Sequence, residues 1–284
     1  MCIRDSYQTA RDGGRYHLGL ALHLSGKDDE AERIFRDLAG RPSADALTLY
    51  QLGEVLRTEG EQSLLRARIV AYLPAVGLTV VPNPLGGYQG YFGQQVSAQT
   101  ELWAGVERFD EALDRLTEAG KRGQGRLPPD LLREIAQRRF AAADGLERSV
   151  RGNGDPARLG RAGDEFGRVA DVKAELAEAW PSLFQPGDAA TYFRQAATDV
   201  CVGLLIDRER KDLSPEQKAA REQADAERTV QLLRKAVAAG YHNAAELRGS
   251  FEAKMILNAP NPDLQGAREE FRKLLSEMEG KTLP

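Results

Sequence analysis

The chain has 284 residues, of which 42% are hydrophobic and 29% charged, and its formal net charge is −4. This composition suits a soluble protein with one or two buried cores and provides too little apolar sequence for a membrane-embedded fold. Surfaces that bind nucleic acid carry clustered positive charge, which an acidic chain does not favour. We therefore expect no nucleic-acid partner, and a membrane partner is disfavoured.

The first six residues, Met1 to Ser6, read MCIRDS, which the nucleotides ATG TGT ATA AGA GAC AG can encode. That run resembles the transposon mosaic end used to prepare sequencing libraries, and the alternative is an ordinary polar N-terminus. We interpret residues 1–6 as a non-native scar and exclude them from fold reasoning. We expect the natural chain to continue upstream of about Tyr7, so a signal peptide or an anchor there stays open.

Two segments that begin at Tyr16 and Tyr50 share one pattern. YHLGLALHLSG and YQLGEVLRTEG repeat a tyrosine, two leucines and two glycines at a spacing of 34 residues. After the first segment, Ala31, Phe35 and Leu38 follow at the three- and four-residue spacing of an amphipathic helix. The pattern predicts antiparallel helix pairs that cross closely at a small residue and stack on neighbouring pairs.

Residues 13–60 resemble a tetratricopeptide repeat (TPR) protein, whose repeats have this period and these small and apolar positions. The resemblance implies an all-α fold, a TPR-like right-handed α-solenoid of antiparallel helix pairs. It also implies an interaction scaffold that binds a peptide or protein segment in a groove lined by the first helix of each repeat. Carried onto the two matching repeats, the groove positions are Tyr16, Leu20, His23, Tyr50, Glu54 and Arg57.

Two interpretations of these groove positions stay open. Tyr16 and Tyr50 either face a ligand or pack against neighbouring helices, as aromatic side chains often do. Some TPR proteins grip a C-terminal carboxylate with a basic clamp of Lys and Asn, where this chain has Tyr16, His17 and Leu20. A chaperone-tail ligand is therefore disfavoured, and an apolar or aromatic ligand fits better.

The second repeat loses its pattern after Gly60, because Leu65 stands where a small residue is expected. Residues 69–100 contain no charged residue, and prolines and glycines interrupt residues 74–93. We expect a Gly/Pro-rich insertion at 74–93, which is too interrupted for a membrane span. It is either buried against the helices, or it covers the groove or docks a partner. We interpret residues 109–119 as the second helix of a third, degenerate repeat whose first helix contains Trp103.

The rest of the chain predicts long helices. Residues 130–150 and 156–180 carry apolar stripes and are expected to form a hairpin turned at 151–155. Residues 189–206 are apolar around most of the helix surface, which indicates a central helix. Ser214, Pro215 and Gln217 then form a capping-box signature. We assign residues 7–120 to a degenerate TPR array and residues 121–284 to helical hairpins and C-terminal TPR-like helices, continuous with the first part.

Residues 188–280 are similar to the tail of TPR arrays attached to bacterial Ser/Thr protein kinases. The similarity departs at residues 251–257, which are longer and more apolar than that pattern. It implies an alternative function, a C-terminal regulatory or substrate-docking region of a bacterial signalling kinase whose catalytic domain lies upstream. The similarity rests on the run AVAAGYHNA and on the spacing of Asp263, Leu264, Arg268, Phe271, Leu274 and Leu275.

We find no catalytic constellation and expect this chain not to be an enzyme. It has neither a glycine-rich loop over a strand lysine nor an HRD-like loop, as a kinase would. GKT at residues 280–282 lacks the first glycine of a phosphate-binding loop, and the glycines of residues 85–93 fit no nucleotide-binding spacing. His17, His23 and His242 do not have the spacing of a zinc site. No cofactor and no metal are expected.

Cys201 is the one cysteine outside the first six residues. It lies among apolar residues, which favours a buried small hydrophobe over a nucleophile. A single cysteine forms no internal disulfide, so we expect a reducing, cytoplasmic location.

Overall fold

The computed structural model describes residues 3–72, 89–151, 159–179, 188–259 and 261–280. All regular secondary structure among these residues is helical, which confirms the all-α class predicted from the sequence. A short 3₁₀ helix, Pro262–Leu264, precedes the last helix. The α-helices are α1 (Ile3–Leu24), α2 (Asp28–Ala39), α3 (Ala46–Tyr72), α4 (Gln89–Gly123), α5 (Pro129–Arg151), α6 (Leu159–Ala179), α7 (Asp188–Glu209), α8 (Pro215–Ala238), α9 (Ala244–Gly249), α10 (Phe251–Leu257) and α11 (Gln265–Met278).

The chain divides into two compact units, Met1–Gly154 and Asp155–Pro284. The first unit holds α1 to α5, and the second holds α6 to α11. The sequence placed a boundary after residue 120, whereas α5 packs on α4 within the first unit. The hairpin turn expected at 151–155 lies outside the described residues from 152 onward.

In the first unit each helix packs on the next one along the chain. At two crossings a side chain of the neighbouring helix packs directly on a glycine, so that an added Cβ atom would lie too close to it. A Cβ atom on Gly19 of α1 would lie 2.8 Å from Phe35 Cζ of α2, and one on Gly53 of α3 would lie 2.7 Å from Leu116 Cγ of α4. Both close crossings expected from the repeated pattern are therefore present.

The helix that pairs with Gly53 differs from the sequence interpretation. Residues 109–119 and Trp103 belong to a single helix, α4, so Trp103 does not mark the first helix of a separate third repeat. The DEAERIF run of α2 and the DEALDRL run of α4 place Ala31 and Ala112, and Phe35 and Leu116, in equivalent positions. Helix α4 thus supplies the second helix of the second pair.

The expected insertion explains why α3 and its partner α4 are separated along the chain. Helix α3 continues to Tyr72, and α4 begins at Gln89. Residues 73–88, which hold most of the insertion predicted at 74–93, lie outside the described residues, while residues 89–93 begin α4. The intervening residues separate two helices that nevertheless pack along each other.

Phe109 holds three helices of the first unit together. Its side chain is completely buried. A Cβ atom on Gly60 of α3 would lie 3.0 Å from its ring, and a Cβ atom on Gly145 of α5 would overlap the ring. One aromatic ring on α4 therefore fills the space that two glycines leave on its neighbours.

In the second unit, α7 packs against α6, α8 and α10, which confirms the central helix predicted from its apolar surface. Helix α8 begins with the predicted capping box. The Gln217 backbone N–H donates to Ser214 Oγ (3.2 Å), and the Ser214 backbone N–H donates to Gln217 Oε1 (2.9 Å). The core shared by α7, α8, the 3₁₀ helix and α11 includes Ala196, Val200, Leu233, Leu264, Phe271 and Leu274.

Candidate functional site

The predicted groove positions lie on two helices. Those on α3 make contacts within the first unit. The Tyr50 hydroxyl donates to Glu134 Oε1 of α5 at 2.8 Å, and the side chain is 6% exposed. Burial raises the pKa of Tyr50, and the Glu134 carboxylate raises it further. Tyr50 therefore packs against a neighbouring helix, one of the two interpretations left open by the sequence.

Glu54 and Arg57 lie on the same side of α3. The Glu54 side chain is 7% exposed and accepts from Arg57 Nε at 3.1 Å. Arg138 Nε of α5 lies 3.2 Å from its other carboxylate oxygen. Together with Tyr50, Glu54 joins α3 to α5 by polar contacts, and neither side chain presents an open surface to a ligand.

Tyr16 lies at a cavity. Its ring packs edge-on against Phe35, with the ring centroids 5.8 Å apart, and it also meets the His17 ring edge-on at 5.7 Å. Burial raises the pKa of Tyr16, and the nearby Asp45 carboxylate raises it further. The cavity, of about 460 Å³, lies where α1, the end of α2 and the start of α3 meet, and we call it the α1/α3 cavity. Its lining includes Tyr16, His17, Leu38, Arg41, Asp45 and Thr48.

The other two α1 positions lie away from that lining. Leu20 is half-buried, and His23 lies near the C-terminal end of α1. His23 Nδ1 is 2.6 Å from Asp28 Oδ1 of α2, and Gln62 Nε2 of α3 donates to Asp28 Oδ2 at 3.1 Å. The predicted residues therefore do not form one site: Tyr16 lines the α1/α3 cavity, His23 makes a polar contact at the start of α2, and Tyr50 and Glu54 lie at the interface with α5.

Sequence reasoning missed a cluster of charges where α2, α3 and α4 meet. Arg108 Nη1 donates to Glu32 Oε1 at 2.7 Å, and its Nε lies 3.0 Å from Glu59 Oε2. The second contact is an ion pair without hydrogen-bond geometry, since neither Glu59 oxygen has a hydrogen-bond partner. Glu59 is 7% exposed. Burial raises its pKa to about 7; Arg108 opposes that rise, and the Glu32 carboxylate adds to it.

The same cluster contains a strong ion pair. Arg36 of α2 donates through both terminal nitrogens to the two carboxylate oxygens of Glu111 on α4, each at 2.5 Å. Burial acts to raise the pKa of Glu111, but the Arg36 hydrogen bonds outweigh it and hold that pKa below its usual range. No local sequence signal indicates this pair, because its members are 75 residues apart.

A second cavity, of about 410 Å³, lies in the second unit between α6, α7 and α8. Four aspartates and three arginines are among its lining residues. We call it the charged cavity. Sequence reasoning did not predict this site. Its charged lining residues are Asp164, Arg168, Asp171, Asp207, Arg221, Asp225 and Arg228.

The described residues provide no group of three or more His, Cys, Asp or Glu side chains placed to hold a metal ion. Cys201 is completely buried, and burial raises the pKa of its thiol to about 12. A thiol that stays protonated at neutral pH is a poor nucleophile. Among the described residues, no helix combines the length and the apolar character that crossing a bilayer requires.

Compared with known proteins, the chain matches no family model and no curated protein.

Proposed function

We propose that the first unit is a TPR-type scaffold that binds a peptide or protein segment at the α1/α3 cavity. The repeated pattern and the two glycine crossings support a solenoid of helix pairs, in which first helices such as α1 and α3 line one face. The observation that carries the proposal is the position of Tyr16. It is the predicted groove residue that lines an open cavity, whereas Tyr50 and Glu54 are engaged by α5.

The lining of the α1/α3 cavity suits a segment with an apolar or aromatic side chain. Tyr16, His17 and Leu38 provide aromatic and aliphatic surface. Arg41 and Asp45 lie beside that surface and supply charged groups for backbone or polar side-chain atoms of a ligand. Arg41 is already held by Asp12 and Asp37, so its guanidinium is fixed in place before any ligand arrives.

A random-peptide phage library selected on the purified chain tests this proposal. Peptides enriched on the wild type are measured by fluorescence anisotropy against His17→Glu. We expect at least a tenfold weaker Kd, because the substitution places a carboxylate beside Asp12 and Asp45 and removes an aromatic wall. His242→Glu, the same change at an exposed position of the second unit, is the matched control. Equal affinity for the wild type and both variants, or no enriched peptide, would contradict the proposal.

The alternative function, a regulatory or docking region of a bacterial protein kinase, is supported by the C-terminal residues. Leu264, Phe271 and Leu274, which carry the sequence similarity, are buried in the second unit. Arg268 donates to the backbone carbonyls of Ile256, Ala259 and Asn261 and so ties α11 to the turn before it. The residues that carry the similarity therefore make contacts inside the second unit, and they support a shared fold. The genomic sequence upstream of the Tyr7 codon tests the alternative, which requires a kinase domain there.

A further inference from the structure

Helices α6 and α8 carry a ladder of complementary charges. Asp164 pairs with Arg221 (3.3 Å), Asp171 pairs with Arg228, and Glu178 accepts from Lys235 Nζ (2.6 Å). Each pair joins residues 57 positions apart, so α6 and α8 run parallel in a constant register. The three ion pairs show which side chains of α6 and α8 face one another.

Each ion pair is one rung of this ladder. At one position of the same register, which we call the open rung, no ion pair forms between the described residues of α6 and α8. Arg168 and Asp225 stand at the same offset, between the first and second closed rungs, and both line the charged cavity. They have complementary charges, yet the Asp225 carboxylate forms no ion pair and accepts no side-chain hydrogen bond among the described residues. The charged cavity lies at this open rung.

Glycines keep the cavity open. Gly163 and Gly167 of α6 and Gly203 of α7 line it, and none of the three adds a side chain to its volume. A Cβ atom on Gly167 would still lie 3.9 Å from its nearest neighbour, Arg228 Nη1, so the space beside it is unfilled. A volume of about 410 Å³ lies within the range of small-ligand sites, which is about 300–1,000 Å³.

The charge balance of the cavity favours a cation. Arg221 is committed to Asp164 and Asp207, and Arg228 to Asp171 and the Gly167 carbonyl. Arg210 also donates to Asp207, and Arg168, which lines the cavity as well, has an interaction of its own. Asp225 therefore has no ion-pair partner of its own among the described residues. Its pKa is raised to about 6, chiefly by burial and also by the Asp207 carboxylate, against the opposing effect of Arg228 and Arg221. A bound cation would relieve this unfavourable burial of negative charge.

We propose that the charged cavity binds an organic cation, a primary ammonium or a guanidinium, through the Asp225 carboxylate at the open rung. The cation donates charge-assisted hydrogen bonds to Asp225, with the Asp207 carboxylate adding to the attraction. The group belongs either to a free small molecule or to a lysine or arginine side chain of a peptide, and both sources share this chemistry. The proposal concerns the second unit alone and does not depend on peptide binding by the first.

Isothermal titration calorimetry on the full chain tests the proposal at pH 7.5 with two probes. Agmatine represents a free cation, and the capped peptide acetyl-Gly-Arg-Gly-amide represents a side chain; the same peptide with citrulline is the uncharged control. We expect agmatine, the arginine peptide or both to bind, and the citrulline peptide not to bind. Binding by agmatine assigns the site to a small molecule, and binding by the peptide alone assigns it to a protein partner. No binding of either probe at millimolar concentration would overturn the proposal.

Two variants locate the site. Asp225→Asn removes the charge and keeps the shape, and we expect at least a tenfold loss of affinity. Gly167→Leu keeps every charge and fills the cavity, and we expect a similar loss. Asp263→Asn, an exposed aspartate of the second unit outside the cavity, is the matched control. Circular dichroism confirms that each variant is folded. Unchanged affinity in folded Asp225→Asn or folded Gly167→Leu would place the cation elsewhere and overturn the assignment.

Discussion

The two units use glycine in opposite ways where helices meet. In the first unit, glycines on α1, α3 and α5 face apolar side chains, such as Phe35, Leu116 and Phe109. In the second unit, glycines on α6 face charged groups. A Cβ atom on Gly160 would lie 3.1 Å from the Arg210 guanidinium, and one on Gly163 would lie 3.1 Å from Asp207 Oδ1.

The charged cavity occurs where one glycine of α6, Gly167, has no close neighbour. Rings and branched aliphatic chains fill the space beside a glycine at the density of a protein interior. Beside Gly160 and Gly163 the charged groups also come close, whereas a Cβ atom on Gly167 would meet nothing nearer than 3.9 Å. The first unit thus obtains close helix crossings from its glycines, and the second obtains an open cavity lined by charge.

The largest expected effect comes from breaking the apolar crossing at Phe109. Phe109→Ala removes a fully buried ring that fills the space between Gly60 and Gly145. We expect the free energy of unfolding to fall by about 4 kcal/mol, as for other buried phenylalanines. Urea denaturation followed by circular dichroism measures it. Phe251→Ala, at a partly exposed phenylalanine, is the control and should cost about 1 kcal/mol or less.

The corresponding test in the second unit concerns the Lys173–Asp199 ion pair. Its atoms are 2.8 Å apart, and the two side chains are 2% and 1% exposed. Lys173→Met leaves a buried carboxylate without this ammonium group, and we expect a loss of about 3 kcal/mol. The double variant Lys173→Met/Asp199→Leu removes both charges and should recover most of that loss. If the double variant is as unstable as the single one in urea denaturation, the two charges have other essential partners.

Alanine at the glycines compares the two units directly. Gly53→Ala forces a Cβ atom to within 2.7 Å of Leu116, so we expect it to destabilise the protein by about 1–3 kcal/mol. Gly167→Ala enters open space, and the higher helix propensity of alanine should stabilise the protein by about 0.5–1 kcal/mol. Gly14→Ala in α1, which meets no atom within 4 Å, should behave like Gly167→Ala. Destabilisation by Gly167→Ala would mean that the space beside it is not free.

Sequence patterns predicted those features of the fold that depend on residues close together in the chain. The Ser214 capping box, the central helix α7 and the close helix crossing at Gly19 each depend on residues within about one helix pair. The partner of Gly53 could not be predicted in this way, because α4 follows after the insertion. Tyr50 likewise finds Glu134 on α5, 84 residues away. Helix periodicity specifies which face is buried, but it does not specify which distant helix covers that face.

The regular spacing of the charges in the second unit contains information that was not recognised in the sequence. Asp164, Arg168 and Asp171 on α6 have the same spacing as Arg221, Asp225 and Arg228 on α8, with every sign reversed. Such a pattern on one helix alone is typical of a solvated surface. Only the register of α6 against α8 shows that two such surfaces face each other. A search for sign-reversed charge patterns at a constant offset would have found the ladder.

The smallest expected effect is pH-dependent and concerns Glu59 in the first unit. Its folded-state pKa of about 7 lies above the ordinary glutamate value of 4.5, so the folded protein holds this proton more tightly than the unfolded chain. Ionising Glu59 therefore costs stability, and the cost grows from about pH 4.5 and is complete above about pH 7.

Glu59→Gln removes this cost. We expect the variant to be more stable than the wild type by about 1 kcal/mol at pH 8 and equal to it at pH 5. Part of the gain is lost because Arg108 gives up an ionic partner, although Arg108 still donates to Glu32. Glu30→Gln, the same change at an exposed glutamate of α2, is the matched control. A Glu59→Gln variant that is less stable than the wild type at pH 8 would show that the Arg108 ion pair outweighs the burial of the carboxylate.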